Sequence, residues 1–316
     1  RGLGDVYKRQ EYISPNAERL NFITNFSGSA GRAIIMPTDA FLYVDGRYTF
    51  QANTQINAKE IQAKHLNNFW TDLEKILLEE EYKIALDPTL HSIIEIEKVE
   101  KMLENSTSQL QLIDKNFVDL IWENQPKNEY TDIFDHPTSF AGQGRREKLD
   151  ILKKFLDQNE IDHYFVSGLD NIAWLLNLRA DDIKYTPLLY SYLLISKNNK
   201  HSLYIKESSM PEILQKEIQT LININNIENI RSIFNNINSS QSIGLDFNST
   251  TFYFLDLLRK QKINTKNLAN PCILLKAIKN ETELDGAKKA HIRDGVSITK
   301  YTVSYTHLTL PTKVSV

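Results

Sequence analysis

Cysteine is almost missing from this sequence: Cys272 is the single one among 316 residues. One thiol cannot close an internal disulfide, so a disulfide scaffold is excluded and a reducing compartment is favoured. Long apolar runs are missing as well. None approaches the ~18–20 residues that cross a bilayer, and no basic-then-apolar leader opens the chain. The reading is a soluble, cytoplasmic protein with no membrane partner. Nor does one sign of charge dominate, since 37 Lys and Arg stand against 40 Asp and Glu. That balance gives no electrostatic reason to expect nucleic acid as a partner. Asn-x-Ser/Thr triplets such as Asn25-Phe-Ser27, Asn105-Ser-Thr107 and Asn280-Glu-Thr282 are read as accidents of an Asn-rich chain.

Catalytic motifs are equally scarce. The histidines at 65, 91, 136, 163, 201, 291 and 307 never form HxH, HExxH or a His–Cys cluster. No GxSxG elbow occurs, and Cys272 has no base near it in sequence. Asp181-Asp182 is a lone acidic pair in a loop, which could bind a cation but is read as solvated. From these residues alone no metal ligand set and no nucleophile assembles.

What is there is a foldable chain. Apolar residues make up 41% and charged residues 24%, enough for about two domains. RAIIM (32–36), the turn PTD and AFLYV (40–44) predict a β-hairpin. DGRY follows, with Asp45 as N-cap of a helix whose first turn holds Arg47 and Tyr48. Helices are expected at 67–80, on the stripe Phe69, Trp70, Leu73, Ile76 and Leu77, and at 91–104. YKIALD (82–87) between them reads as a buried strand. Periodicity fades after Trp122, which sets a domain boundary near 123–135. A second round starts with a helix at 145–158, whose face carries Leu149, Leu152, Phe155 and Leu156. A strand (162–167), a short helix in SGLDNIAWLLN, a hairpin (188–196 and 201–205) and a strand IGLDF (243–247) follow. Strands alternating with helices predict α/β domains with mixed sheets. The two rounds share an order and end on similar strands, Ala85-Leu86-Asp87 and Gly244-Leu245-Asp246.

Two glycine-containing stretches read as structural. FSGSAGRA (26–33) is a tight turn into a strand, its glycines supplying φ > 0, in preference to an anion nest. AGQGRRE (141–147) caps the helix from Arg145. YVDGRY is a better binding candidate, because a strand's C-terminal end presents Asp45 and Arg47, and an Arg fork suits a carboxylate. The plainer alternative pairs Arg47 with Asp45.

Five stretches in order then carry a resemblance: NFITNFSGSAGRAIIMPTDAFLYVDGRYTFQA, NFVDLIW, HPTSFAGQGRREKL, LDNIAWLLNLRADDIKYTPLLYSYLLI and NPCILLKAIKNETELDGAKKAHIRDGV. Together they resemble successive blocks of the three-domain aminopeptidase P (Xaa-Pro aminopeptidase) family. The resemblance implies two creatinase-N-like (ribonuclease H-like) α/β domains with mixed sheets flanked by helices, at 11–125 and 134–274. It implies that 275–302 is the first helix of a truncated pita-bread catalytic domain. KNETELDGAKKAHIRDGVSITKY agrees, with Asn280 as cap, Glu281 and Glu283 in the first turn, and Leu284, Ala287, His291 and Val296 along one side. The activity implied is removal of the N-terminal residue from peptides with proline second. A homodimer would perform it with two divalent metal ions, manganese, bound by downstream Asp, His and Glu residues. No catalytic and no metal-binding residue is therefore expected in this stretch, which by itself would be inactive. Two groups near the active site are implied as substrate contacts: Arg47 with Asp45 and Tyr48, and Trp174 with Arg179 and Tyr185. The alternative is a non-catalytic peptide-binding or dimerisation module of the same fold. RGLGDVYKRQ (1–10) and 303–316 resemble non-native, adapter-derived sequence, with 1–10 standing where the family has its first strand and helix.

Overall fold

The computed structural model describes residues 13–198 and 200–308. Helix α1 (Arg19–Thr24) ends on Asn25 in the left-handed region, φ 60. The hairpin is present as β1 (Gly31–Ile35) antiparallel to β2 (Ala40–Val44), with Gly31 opposite Val44. The glycines before it do not act through positive φ, which among the described glycines only Gly142 adopts. Close packing is the reason instead: a Cβ on Gly28 would lie 2.2 Å from Cζ of Phe26.

A 3-10 turn (Gly46–Tyr48) leads into α2 (Thr49–Gln55), and β3 (Gln62–His65) runs parallel to β2. Helix α3 (Phe69–Glu79) buries Leu73 and Leu77 of the expected stripe. Strand β4 (Lys83–Leu86), helix α4 (Ile93–Leu103) and strand β5 (Gln109–Leu112) form one unit, β4 parallel to β5. The expectation of a buried strand at 82–87 is corrected: the strand is only half-buried, on one face. Lys83 and Ala85 are exposed while Ile84 and Leu86 are half-buried, because this sheet has two strands and one wet face. Helix α5 (Phe117–Ile121) closes this half.

The second half opens with β6 (Phe134–Asp135), α6 (Thr138–Ala141) and α7 (Arg145–Gln158). Gly142, at φ +69, ends α6 and Gly144 caps α7. Strand β7 (His163–Val166) and helix α8 (Leu169–Leu176) follow, and β8 (Leu178–Arg179) pairs with β6. Then come β9 (Tyr192–Ser196), β10 (His201–Ile205), α9 (Glu212–Gln219) and β11 (Ile222–Asn226). Strand β9 starts at Tyr192, not Leu188, because Asp182 takes the Tyr190 N–H at 2.8 Å and holds that stretch off the sheet. Strand β12 (Ser242–Leu245), helix α10 (Phe252–Lys260), strand β13 (Asn264–Asn267) and helices α11 (Pro271–Ala277) and α12 (Glu281–Leu308) complete the chain. The six-stranded mixed sheet has the order β11-β10-β9-β7-β12-β13, and β7 is buried along its whole length.

The halves repeat one plan. Each has an antiparallel hairpin with a third parallel strand, then a strand–helix–strand unit. They meet about a local two-fold axis. Ser92 and Thr251, the N-caps of α4 and α10, form an antiparallel bridge. Around it Ile93 N–H bonds Thr250 O and Phe252 N–H bonds His91 O, while Ile94 N–H bonds Phe247 O and Tyr253 N–H bonds Pro88 O. Each bond has its counterpart in the other half. Ile93 and Ile96 of α4 accordingly share one apolar cluster with Phe165, Phe234, Phe252 and Leu255.

No strand among the described residues of the first half occupies the place that β7 holds in the second. A cleft of about 1150 Å³ lies there, lined by Ile34, Trp70, Leu73, Ile84 and Val99. The paired Arg32 and Glu95 also line it. Helix α12 lies along α6 at its start. Leu284, Ala287, His291 and Val296 are all exposed on it, and it continues past 302 to Leu308. Residues 1–10 and 309–316 of the expected foreign ends lie outside the described residues.

Candidate functional site

The first predicted group sits where β2 ends. The Asp45 carboxylate accepts from the Arg47 N–H at 3.0 Å and from Arg47 Nε at 2.9 Å. These two bonds hold Asp45 below the usual carboxylate range. The Arg47 guanidinium lies 5.5 Å from the Tyr48 ring centroid and remains largely exposed. The Tyr48 hydroxyl lies 2.8 Å from Ser29 Oγ, with the ring edge-on to Phe26. The three residues are thus together, tied to one another and to the turn before β1.

Of the second group, Trp174 and Arg179 are brought together and Tyr185 is not. Both line a cleft of about 640 Å³ between the second half and α12, whose walls include His136, Phe140, Leu188 and Glu283. Tyr185 stands on the loop before β9 at φ 63, exposed, with Lys184 Nζ 5.0 Å from its ring. Asp45, Arg47 and Tyr48 do not line this cleft either. Asp182 is structural, accepting from Thr131 N–H at 2.7 Å and Tyr190 N–H at 2.8 Å.

Sequence order explains how the cleft is built. Helix α8 places Trp174 at its end, and Asn177, in the left-handed region at φ 50, turns the chain so that Arg179 follows on β8. The Trp174 indole N–H donates to Glu283 Oε1 at 3.3 Å. Glu283 in turn closes a capping box on α12: its Oε2 accepts from Asn280 N–H at 3.0 Å, and Asn280 Oδ1 accepts from Glu283 N–H at 2.9 Å. Asn280 Nδ2 also donates to Ala141 O at 2.8 Å, and Lys276 pairs with Asp170. These contacts fix the start of α12 against the second half.

Lys148 was not singled out in the sequence. It is 1% exposed, and its ammonium donates to Trp174 O and Asn177 Oδ1, each at 2.8 Å, lying 4.3 Å from the Trp174 ring. Burial pulls it down to about 8, Glu283 resisting and Arg179 assisting. Its signal was legible: Lys148 falls on the apolar stripe of α7 beside Leu149 and Leu152. Burial likewise lowers His136, which stacks on Phe140. Cys272 is buried and pushed up to about 12 by desolvation, which makes it a poor nucleophile.

Among the described residues no three His, Cys, Asp or Glu side chains converge as a metal site. The acids at the cleft are engaged elsewhere, Asp170 by Lys276, Asp285 by Lys289 at 2.6 Å and Glu283 by Trp174 and Asn280. These donors do not fit a pair of metal ions, and no chemical step through metal is assigned to them. No described helix is long and apolar enough to cross a membrane.

Comparison with known proteins follows the same lines. Two models of the creatinase/prolidase N-terminal domain match, one over residues 124–283 and one over 10–115. The chain is similar to the probable Xaa-Pro aminopeptidase P of Paracoccidioides brasiliensis, 32% identical over 93% of this chain and 50% of that protein. The probable Xaa-Pro aminopeptidase P of Neosartorya fischeri is 33% identical over 93% of this chain and 46% of its own length. The chain therefore spans about half the length of the curated relatives it matches. Among solved structures, the X-prolyl aminopeptidase of Caenorhabditis elegans superposes with a TM-score of 0.87 over 96% of this chain and 51% of that one, at 23% identity. That protein is described as a cytosolic enzyme with a di-nuclear active site. At that identity the likeness establishes the shared fold.

Proposed function

This chain belongs to the creatinase/prolidase N-terminal domain family, and from that premise we propose that it is the non-catalytic part of a Xaa-Pro aminopeptidase. In this reading the whole protein is a cytosolic homodimer that removes the first residue from peptides with proline second. Two divalent ions, manganese in this reading, would supply the activated water at a site outside this chain, and residues 1–316 alone would be inactive. Residues 11–125 and 134–274 are its two N-terminal domains, and 275–302 begins the helix that leads towards the catalytic part. The observation that carries the reading is identity of 32% along 93% of the chain with a relative named as such a peptidase. The di-nuclear site reported for the C. elegans enzyme supports the metal requirement.

Within this reading Arg47, with Asp45 and Tyr48, and Trp174 with Arg179 and Tyr185, touch the peptide or shape the route to it. Arg47 and Tyr185 are exposed enough to do so. The deciding experiment assays a Gly-Pro or Arg-Pro peptide with manganese present, using the full reading frame, the 316-residue chain, and Arg47→Ala in the full protein. Cleavage by the full protein only, with a lowered kcat/KM for Arg47→Ala, is expected. A full protein that binds but never cuts such peptides would favour a binding or dimerisation module of the same fold. Metal-dependent cutting by the 316-residue chain would refute the division of labour.

A further inference from the structure

The cleft between the second half and α12 has an uneven charge inventory. Lys276 and Lys289 are answered by Asp170 and Asp285. Arg179, Lys279 and Arg293 also line it, and among the described residues none of the three has a carboxylate within ion-pair distance. Lys148 adds a fourth positive charge just behind the wall, with only neutral oxygens as partners. Among the described residues the acid whose charge acts on Arg179 is Glu283, and each of its oxygens is already taken, by the Trp174 indole and by Asn280 N–H.

Arg179 is half-buried, and a guanidinium shielded from water without a counter-anion is unfavourable. Its hydrogen bonds are distributed in a telling way. Nη1 donates to Ala173 O at 2.7 Å and to Leu178 O at 2.9 Å, which uses both of its hydrogens. These two carbonyls clamp the plane of the group. The Nε–Nη2 edge has no partner among the described residues. That edge is the fork that receives the two oxygens of a carboxylate side-on. Trp174, Phe140 and Leu188 provide an apolar bed beside it.

We propose that this cleft takes a carboxylate, held side-on by Arg179, with Lys279 and Arg293 supplying long-range attraction and the aromatic wall covering the rest of the ligand. Such a carboxylate belongs to a peptide, as its C-terminal group or an acidic side chain. The inference deepens the peptide-contact role given above to Arg179 and rests on that reading for the ligand's identity. Its test reads binding, not turnover, so its failure leaves the peptidase reading standing.

The test titrates the 316-residue chain by calorimetry at constant ionic strength. The probes are an N-acetylated tripeptide with a free C-terminus, its C-terminal amide, the amide carrying one Glu, and inorganic phosphate. Saturable binding of a carboxylate-bearing probe, about tenfold tighter than the plain amide, is expected. The free-acid and Glu-amide arms tell the two carboxylate sources apart. Arg179→Met should abolish binding, Arg179→Lys should weaken it about fivefold by removing the fork, and Arg293→Ala should weaken it less. If Arg179→Met does not fold, having lost its two carbonyl bonds, the Lys variant decides. Equal binding of acid and amide, tighter binding of phosphate than of either carboxylate, or unchanged affinity in Arg179→Lys would each overturn the proposal.

Discussion

Asn177 holds φ 50 at the end of α8 while its side chain accepts from Lys148 Nζ at 2.8 Å and donates to Gln143 O at 2.9 Å. Two demands meet there, a left-handed backbone and a partner for a buried ammonium. Asn25 occupies the same conformation at the end of α1, so both halves use Asn for this turn. Asn177→Gly keeps the backbone and loses the bonds; Asn177→Ala loses both. The alanine variant should be destabilised by about 2–3 kcal/mol and the glycine variant by about 1 kcal/mol less, as read in urea melts. Equal losses would mean that the turn contributes nothing. His201 offers a second test. It is 3% exposed and accepts the Ser196 N–H at Nδ1, and burial, aided by Lys153 and opposed by Asp150, lowers it to about 4. The unfolded chain takes up this proton near pH 6.5, the folded chain only near 4. Between those values the unfolded state binds more protons, so stability falls as pH drops through the window. His201→Asn, which keeps an acceptor for Ser196, should remove on the order of 2 kcal/mol of the loss between pH 7 and 4.5. A pH profile unchanged by the substitution would show that other groups cause the acid sensitivity.

At the scale of elements, the attachment of α12 depends on one loop. Gly142 sits at φ +69 with Asn280 packed so close that a Cβ there would lie 2.3 Å from Asn280 Oδ1. Asn280 uses that oxygen to cap α12 and its amide to reach Ala141 O. Gly142→Ala should therefore cost about 1–2 kcal/mol through backbone strain and a disturbed cap. Amide exchange across 280–286 should speed up while β9 and β10 keep their protection. Equal protection across α12 would show that Asn280 simply shifts aside. The element scale is also where the sequence spoke most unevenly. The hairpin 32–44, the helix from Arg145 and the cap at Asn280 were readable because apolar period, turn residues and capping chemistry agreed. Strands β3 and β13, with sequences QAKH and NTKN, left no apolar alternation to find, and the alternation in β5 (QLQL) and β11 (ININN) is carried by only two apolar residues each. They lie at sheet edges or in a two-stranded pair, so few of their side chains enter a core and polar residues are tolerated. The cleft was half legible. Trp174 and Arg179 stood out near a turn, but Glu283 and Arg293 reach the same cleft from a helix more than a hundred positions later, and no local pattern announces that meeting.

For the molecule as a whole, the pseudo-symmetric joint decides whether the two halves behave as one body. Ile93 and Ile96 are fully buried, and their neighbours are mostly aromatic and aliphatic side chains of the other half. The first half keeps two smaller clusters of its own, one under the hairpin and one between α3 and α4. A half whose own described clusters are small gains much of its stability from the shared cluster, since burial per residue falls as an apolar core is divided. The chain should then unfold in a single calorimetric transition despite its two sheets. Phe252 is buried at the joint, and the ring lies 5.3 Å from the Arg259 guanidinium. Phe252→Ala should cost about 3–5 kcal/mol and split the transition, with Trp70 and Trp122 in the first half reporting unfolding before Trp174 in the second. The four backbone bonds about the axis persist in that variant, so a split arises from lost apolar contact and not from a broken ladder. A wild-type chain with two separated transitions, or a variant in which all three tryptophans still report together, would show that the halves do not depend on this joint.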